Sequence, residues 1–171
     1  MPENWLKPEQ IQIVQPQTAD QVEALRDDIE TLIRQFPSYD EDFVDWVKHY
    51  PKVLTLVYVD DEPAAYIRLD SHAENPHEVG KKSLEFSGCV LPEYRDKGLT
   101  QQVAPIVINK AFRPGVKKII AKAPKANTEA CFALNQLGFV CVGTEVEDPD
   151  IRIYRLTKDQ SDAFIKKQTV D

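Results

Sequence analysis

At 171 residues, 42% hydrophobic and 29% charged, the chain has the length of one well-filled domain and the composition of an ordinary globular protein. No apolar run approaches the roughly 20 residues that cross a bilayer, and a formal net charge of −7 with scattered Lys and Arg disfavours a nucleic-acid backbone as partner. Cys89, Cys131 and Cys141 make an odd set without a C-x-x-C pair, which argues against a disulfide framework and a zinc centre.

The opening Met-Pro-Glu-Asn-Trp has neither the basic nor the apolar region of a secretory signal, so a cytoplasmic, membrane-free protein is expected. Residues 11–14 read as a short strand. Thr18 then suits a helix N-cap, and Val22, Leu25, Ile29, Leu32, Ile33 and Phe36 recur at helical spacing up to Pro37. Asp40 can cap a second helix with Phe43, Val44, Val47 and Tyr50 on one face. Residues 53–59 and 64–69 form a hairpin around Asp60-Asp61-Glu62-Pro63. After a polar stretch, 70–82, the chain gives a strand over 84–91 and a helix over 99–112, in which Pro105 predicts a kink. A strand over 116–121, a helix over 128–137, strands over 139–142 and 151–156, and a tail helix over 159–167 complete the order. No repeat or low-complexity linker divides the chain. One α/β (α+β) domain spanning 1–171 is predicted, with a mixed sheet covered by helices on both faces.

The junction between the strand over 84–91 and the helix over 99–112 carries the chemistry. A strand end running directly into a helix start aims backbone N–H groups and a positive helix terminus at one spot, which suits phosphate. Gly98 allows close backbone approach, and Arg95 and Lys97 add charge. Taken alone the loop is equally readable as a turn with solvated charges, and it has neither the P-loop nor the dinucleotide fingerprint.

A second segment, with Asn127 and Ala130 ahead of Leu137-Gly138-Phe139, decides between these readings. Together, Val90-x-Pro92-x-x-Arg95-x-x-Gly98 and this segment resemble the GNAT acetyltransferase family, closely over 84–143 and by element order over the whole chain. The resemblance implies a mostly antiparallel central sheet of about six to seven strands. It implies acetyl-CoA as cosubstrate and no metal. Cys89, Val90 and Leu91 would hydrogen-bond the pantetheine arm through their backbone. Arg95, Lys97, Gly98, Leu99 and Thr100 would hold the pyrophosphate, and Asn127 would contact the pantetheine, although an Asn there also suits a helix cap. Glu85, on the same strand as Val90, is the candidate general base, with an exposed strand glutamate as the alternative.

Two positions depart from the family pattern. Thr100 stands where Gly or Ala is usual, and Leu134 stands where many members carry the Tyr that protonates the leaving thiolate. Tyr154 and Tyr94 are the nearest replacements by element order. The expected function is transfer of an acetyl group to a primary amine of a small acceptor, and the acidic stretch 38–42 suggests a cationic one. The alternatives are an acyl-CoA-binding module without catalysis and a domain for another nucleotide. His49, His72 and His77 read as surface residues, and a second copy of the chain is a candidate partner.

Overall fold

The structure is a computed structural model that describes residues 2–35, 42–70, 83–112 and 115–169. Pro37, Asp40, most of the acidic stretch 38–42, His72 and His77 lie outside the described residues. Among the described residues seven strands form one sheet, in which the strands, numbered in chain order, lie side by side as 1-2-3-4-5-7-6, and these residues gather in two compact units.

The first unit comprises Met1–Arg68 and Gly88–Val103. It holds β1 (Ile11–Val14), α1 (Ala19–Ala24), α2 (Arg26–Ile33), α3 (Phe43–His49), β2 (Leu54–Val59) and most of β3 (Glu62–Asp70). It also takes the end of β4 (Ser83–Val90) and the start of α4 (Leu99–Ala111). Thr18 caps α1 as expected, its hydroxyl accepting from the Gln21 N–H at 3.2 Å. The single helix expected after it is two. Leu25, at φ −101° and ψ 9°, leaves helical geometry; its N–H closes a tighter turn on Val22 O, and its carbonyl restarts the ladder at Ile29 N. Val22 and Ile29 still face the same core. A break that preserves the buried face is invisible to hydrophobic periodicity.

β2 pairs antiparallel with β1 from Ile11↔Val59 to Val14↔Leu56, and with β3 from Leu54↔Arg68 to Val59↔Glu62. All six of its side chains are buried. The hairpin turns on Asp60 and Asp61, both at positive φ, the conformation a two-residue primed turn requires. The register slips where Tyr58 opposes Pro63, and a bulge there accommodates a residue that cannot donate to the ladder. Ile29, Leu32, Val44, Val47, Leu54, Leu56, Tyr66 and Leu91 belong to the core. The Tyr58 hydroxyl, within it, donates to Asp28 Oδ2 at 2.7 Å.

The second unit comprises Leu69–Ser87 and Ala104–Asp171. The first half of β4 pairs parallel with β5 (Lys118–Pro124), from Ser83↔Lys118 to Phe86↔Ala121. Parallel neighbours need a crossover connection, and α4 lies on it. β5 pairs antiparallel with β7 (Ile151–Thr157), which pairs antiparallel with the edge strand β6 (Val140–Thr144). The sheet is thus mixed and mostly antiparallel, as expected. α5 (Thr128–Gln136) contributes buried Cys131 and Leu134, and α6 (Lys158–Thr169) closes the chain. α4 runs on through Pro105 to Ala111.

Cysteine packing gives a first test. Cys89 is buried at the end of β4, and burial pushes its thiol up to about 11, with the Arg95 guanidinium opposing. Cys131 is also buried, whereas Cys141 is exposed on β6. Brief treatment of the native protein with iodoacetamide at neutral pH is expected to alkylate Cys141 alone, because the thiolate is the nucleophile and access is required. Peptide mass spectrometry showing Cys89 labelled as fast as Cys141 would contradict this packing.

Candidate functional site

β4 delivers the chain to the loop with its backbone polarity sorted. The Leu91 N–H donates to Ala64 O of β3 at 2.9 Å. Because amide groups alternate along a strand, the polar groups of Val90 face away from β3. Arg95 folds back and donates Nε to Val90 O at 3.0 Å. Pro92–Tyr94 forms a 3-10 turn, with Tyr94 N–H on Leu91 O and Arg95 N–H on Pro92 O. Asp96 and Gly98 then take left-handed φ values of 60° and 71° on either side of Lys97, and α4 starts at Leu99. The first ordered donor of that helix is Gln102 N–H, on Gly98 O.

The backbone N–H groups of Asp96, Lys97, Gly98, Leu99, Thr100 and Gln101 have no acceptor among the described residues. Left-handed residues in such a turn bring successive N–H groups together into an anion-binding nest, and the terminus of a long helix adds its positive end. Lys97 is exposed and makes no ion pair among the described residues. Thr100 is half-buried in the first turn of α4. Cys89, Val90, Leu91, Arg95, Lys97, Gly98, Leu99 and Thr100 are therefore contiguous in one unit. The hydrogen bond to Val90 O gives Arg95 a job the sequence did not suggest, which is to tie the loop back to the strand.

Sequence reasoning missed the neighbour of this loop. The Leu6 N–H donates to Lys97 O at 2.9 Å, Asn4 Nδ2 donates to Asp96 O at 3.2 Å, and Gln102 Nε2 donates to Leu6 O at 2.9 Å. Between them Trp5 lies against Gly98, where an added Cβ would fall 2.6 Å from Cε2 and Cε3 of the indole. Gly98 is thus a packed position as well as a turn residue. Contacts separated by more than 90 positions leave no periodic signal.

In the second unit, Asn127 caps α5, its Oδ1 accepting from the Ala130 N–H at 3.1 Å. Glu85 is half-buried on β4 opposite Ile120 of β5. Leu134 is buried. Tyr154, on β7 opposite Ala121, is buried beside Cys131, one turn of α5 before Leu134. Burial raises its phenol above the usual range, a hydrogen bond with Cys131 adds to that, and Arg152 opposes it. Tyr154 therefore keeps its proton at neutral pH. Tyr94, in the loop of the first unit, is raised by burial and by the carboxylates of Glu93, Glu62 and Asp60. His49 is exposed at the end of α3.

The family model for the acetyltransferase (GNAT) family matches residues 19–139. The chain belongs to the GNAT family. Its matched span takes in Glu85, the loop, Asn127 and Leu134, and leaves out Trp5 on one side and Tyr154 on the other. No curated protein matches the sequence. Among solved structures, the ribosomal-protein-S5-alanine acetyltransferase of Vibrio fischeri superposes with a TM-score of 0.69 at 14% identity, over 90% of this chain and 96% of that one. The yncA protein of Salmonella typhimurium, solved with its cofactor acetyl-CoA, gives 0.65 at 15% identity over 86% and 94%. Naa50 of Arabidopsis thaliana, in complex with the bisubstrate analogue CoA-Ac-MVNAL, gives 0.64 at 15% over 86% and 99%. At such identities the likeness is one of fold. Among the described residues, no group of His, Cys, Asp and Glu could hold a metal ion and no helix is long and apolar enough to cross a membrane.

Proposed function

We propose that this GNAT chain is an acetyl-CoA-dependent N-acyltransferase acting on a primary amine of a small-molecule acceptor. The observation that carries the reading is the row of N–H groups from Asp96 to Gln101 at the start of α4 that meet no acceptor among the described residues, which matches the needs of a pyrophosphate. Family membership and the acetyl-CoA and CoA-analogue ligands of the yncA and Naa50 structures support it. In this reading the outward-facing backbone of Val90, between Cys89 and Leu91, serves the pantetheine arm, while Arg95, Lys97, Gly98, Leu99 and Thr100 serve the phosphates. Leu91 itself is held, its N–H on Ala64 O and its carbonyl on the Tyr94 N–H, and Asn127 is assigned to the pantetheine by the family resemblance. The whole of residues 1–171 acts as one acyl-CoA-binding domain.

Chemistry then needs little beyond placement. The amine nitrogen bonds to the acetyl carbonyl carbon, the C–S bond breaks, and the ammonium proton passes to Glu85 directly or through water. Near-attack placement of two reactants contributes about 7 to 11 kcal/mol of rate acceleration, so a modest acid and base suffice. Leu134 cannot protonate the thiolate. Tyr154, which borders the same helix beside Cys131, and Tyr94, in the loop, are the candidate donors.

The buried Leu134 also favours a second reading, an acyl-CoA-binding module whose chemistry is lost. The two separate in a free-thiol assay of CoA release from acetyl-CoA against a panel of amines. Turnover is expected with at least one primary amine, and cationic amines of the polyamine or lysine type are expected to lead. Saturable CoA binding with no acetylated product from any amine would support the module instead, and neutral or anionic amines leading the panel would reject the cationic acceptor.

A further inference from the structure

Residues 4–6 lie outside the span that the family model matches, yet they make more specific contacts with the loop than any other segment of the first unit described above. Their chemistry is one-sided. Asn4 and Leu6 donate to the carbonyls of Asp96 and Lys97, so they occupy acceptors of the loop and none of its donors. Gln102, from the first turn of α4, donates to Leu6 O and fixes the segment in place. Trp5 covers Gly98 at the point where the chain is left-handed.

Asp96 is the residue that needs this support. Asp tolerates φ 60° better than most side chains do, as Asp60 and Asp61 show in their hairpin turn, but the left-handed conformation still costs free energy relative to negative φ, and here it is held by hydrogen bonds to the carbonyls of Asp96 and Lys97. If Asp96 left the left-handed region, the peptide groups on either side of it would reorient. A carbonyl oxygen could then turn toward a bound anion where an N–H is required. We propose that residues 4–6 form a positioning strap for the phosphate loop, with Trp5 as the positioning residue that sets affinity for the pyrophosphate of acyl-CoA. The proposal rests on the loop being the cosubstrate site.

Titration of the full chain with CoA and with pantetheine, which lacks the pyrophosphate, tests it. Loss of one or two hydrogen-bond equivalents of preorganisation predicts that Trp5→Ala weakens CoA by about tenfold. Pantetheine should change by less than about twofold, since on this argument only phosphate contacts pass through the strap. Trp5→Phe should restore most of the CoA affinity. Asn4→Ala, which removes one hydrogen bond and leaves the ring in place, should show a smaller loss in the same direction, and it carries the test if Trp5→Ala does not fold. The chain has two tryptophans, so in a Trp46→Phe background the emission of Trp5 should shift on CoA binding. Equal losses for CoA and pantetheine would make the strap merely structural, and unchanged CoA affinity in both variants would remove it altogether. A wild type that binds no CoA would instead overturn the cosubstrate reading itself, before any variant is compared.

Discussion

Glu85→Gln is expected to lower acetyl transfer by about 10² to 10⁴ while leaving CoA affinity unchanged, the range that removal of a general base produces. Glu85 is half-buried on β4, opposite Ile120, five residues before Val90. Strand alternation puts it on the same face of β4 as Ser87 and Cys89. Glutamine keeps the volume and most of the hydrogen-bonding capacity of the side chain and loses only its basicity, so packing around β4 should survive. The acidic limb of the pH-rate profile should disappear with the carboxylate, because that limb reports protonation of the base. Steady-state turnover across pH, paired with a CoA titration of the same variant, checks both halves. Near-normal turnover at neutral pH would assign proton removal to water or to another group.

What could be read from the sequence followed the range of the interactions involved. The hairpin at Asp60 and Asp61, the cap at Thr18 and the strand-to-helix junction at Gly98 depend on near neighbours, and local chemistry located each of them. Tyr154 was placed only by element order. Its environment depends on a strand and a helix that meet over more than 20 positions, and so could not be read from spacing. The break at Leu25 escaped because the apolar pattern continues unchanged on both sides of it. The role of Arg95 was half legible. Its charge pointed to phosphate, while the bond from Nε to Val90 O requires the three-dimensional turn at Pro92–Tyr94. Residues 4–6 gave no signal at all, since nothing in a segment as short as Asn4-Trp5-Leu6 announces which carbonyls it will reach.

That last omission changes what a substitution at Gly98 should do. If Gly98 served the ligand alone, a side chain there would abolish CoA binding and leave the fold intact. Instead, Gly98→Ala is expected to lower stability by about 2–5 kcal/mol, the sum of two separable costs. An L-residue held in left-handed geometry costs about 1–2 kcal/mol, and φ here is 71°. Forcing a methyl into occupied space costs about 1–3 kcal/mol, and the added Cβ falls against the Trp5 indole. Against a total of about 5–15 kcal/mol for a folded domain, the loss is large. The two costs come apart in a double-mutant cycle, because Trp5→Ala removes the ring and leaves φ as it was. In that background Gly98→Ala should cost only the conformational part, giving a coupling of about 1–3 kcal/mol between two residues 93 positions apart in the sequence. Urea denaturation of the wild type, both single variants and the double variant measures it. A Gly98→Ala penalty that is the same with and without Trp5 would place the ring elsewhere, and the loop would then have to hold Asp96 in its left-handed conformation without the cover that Trp5 provides.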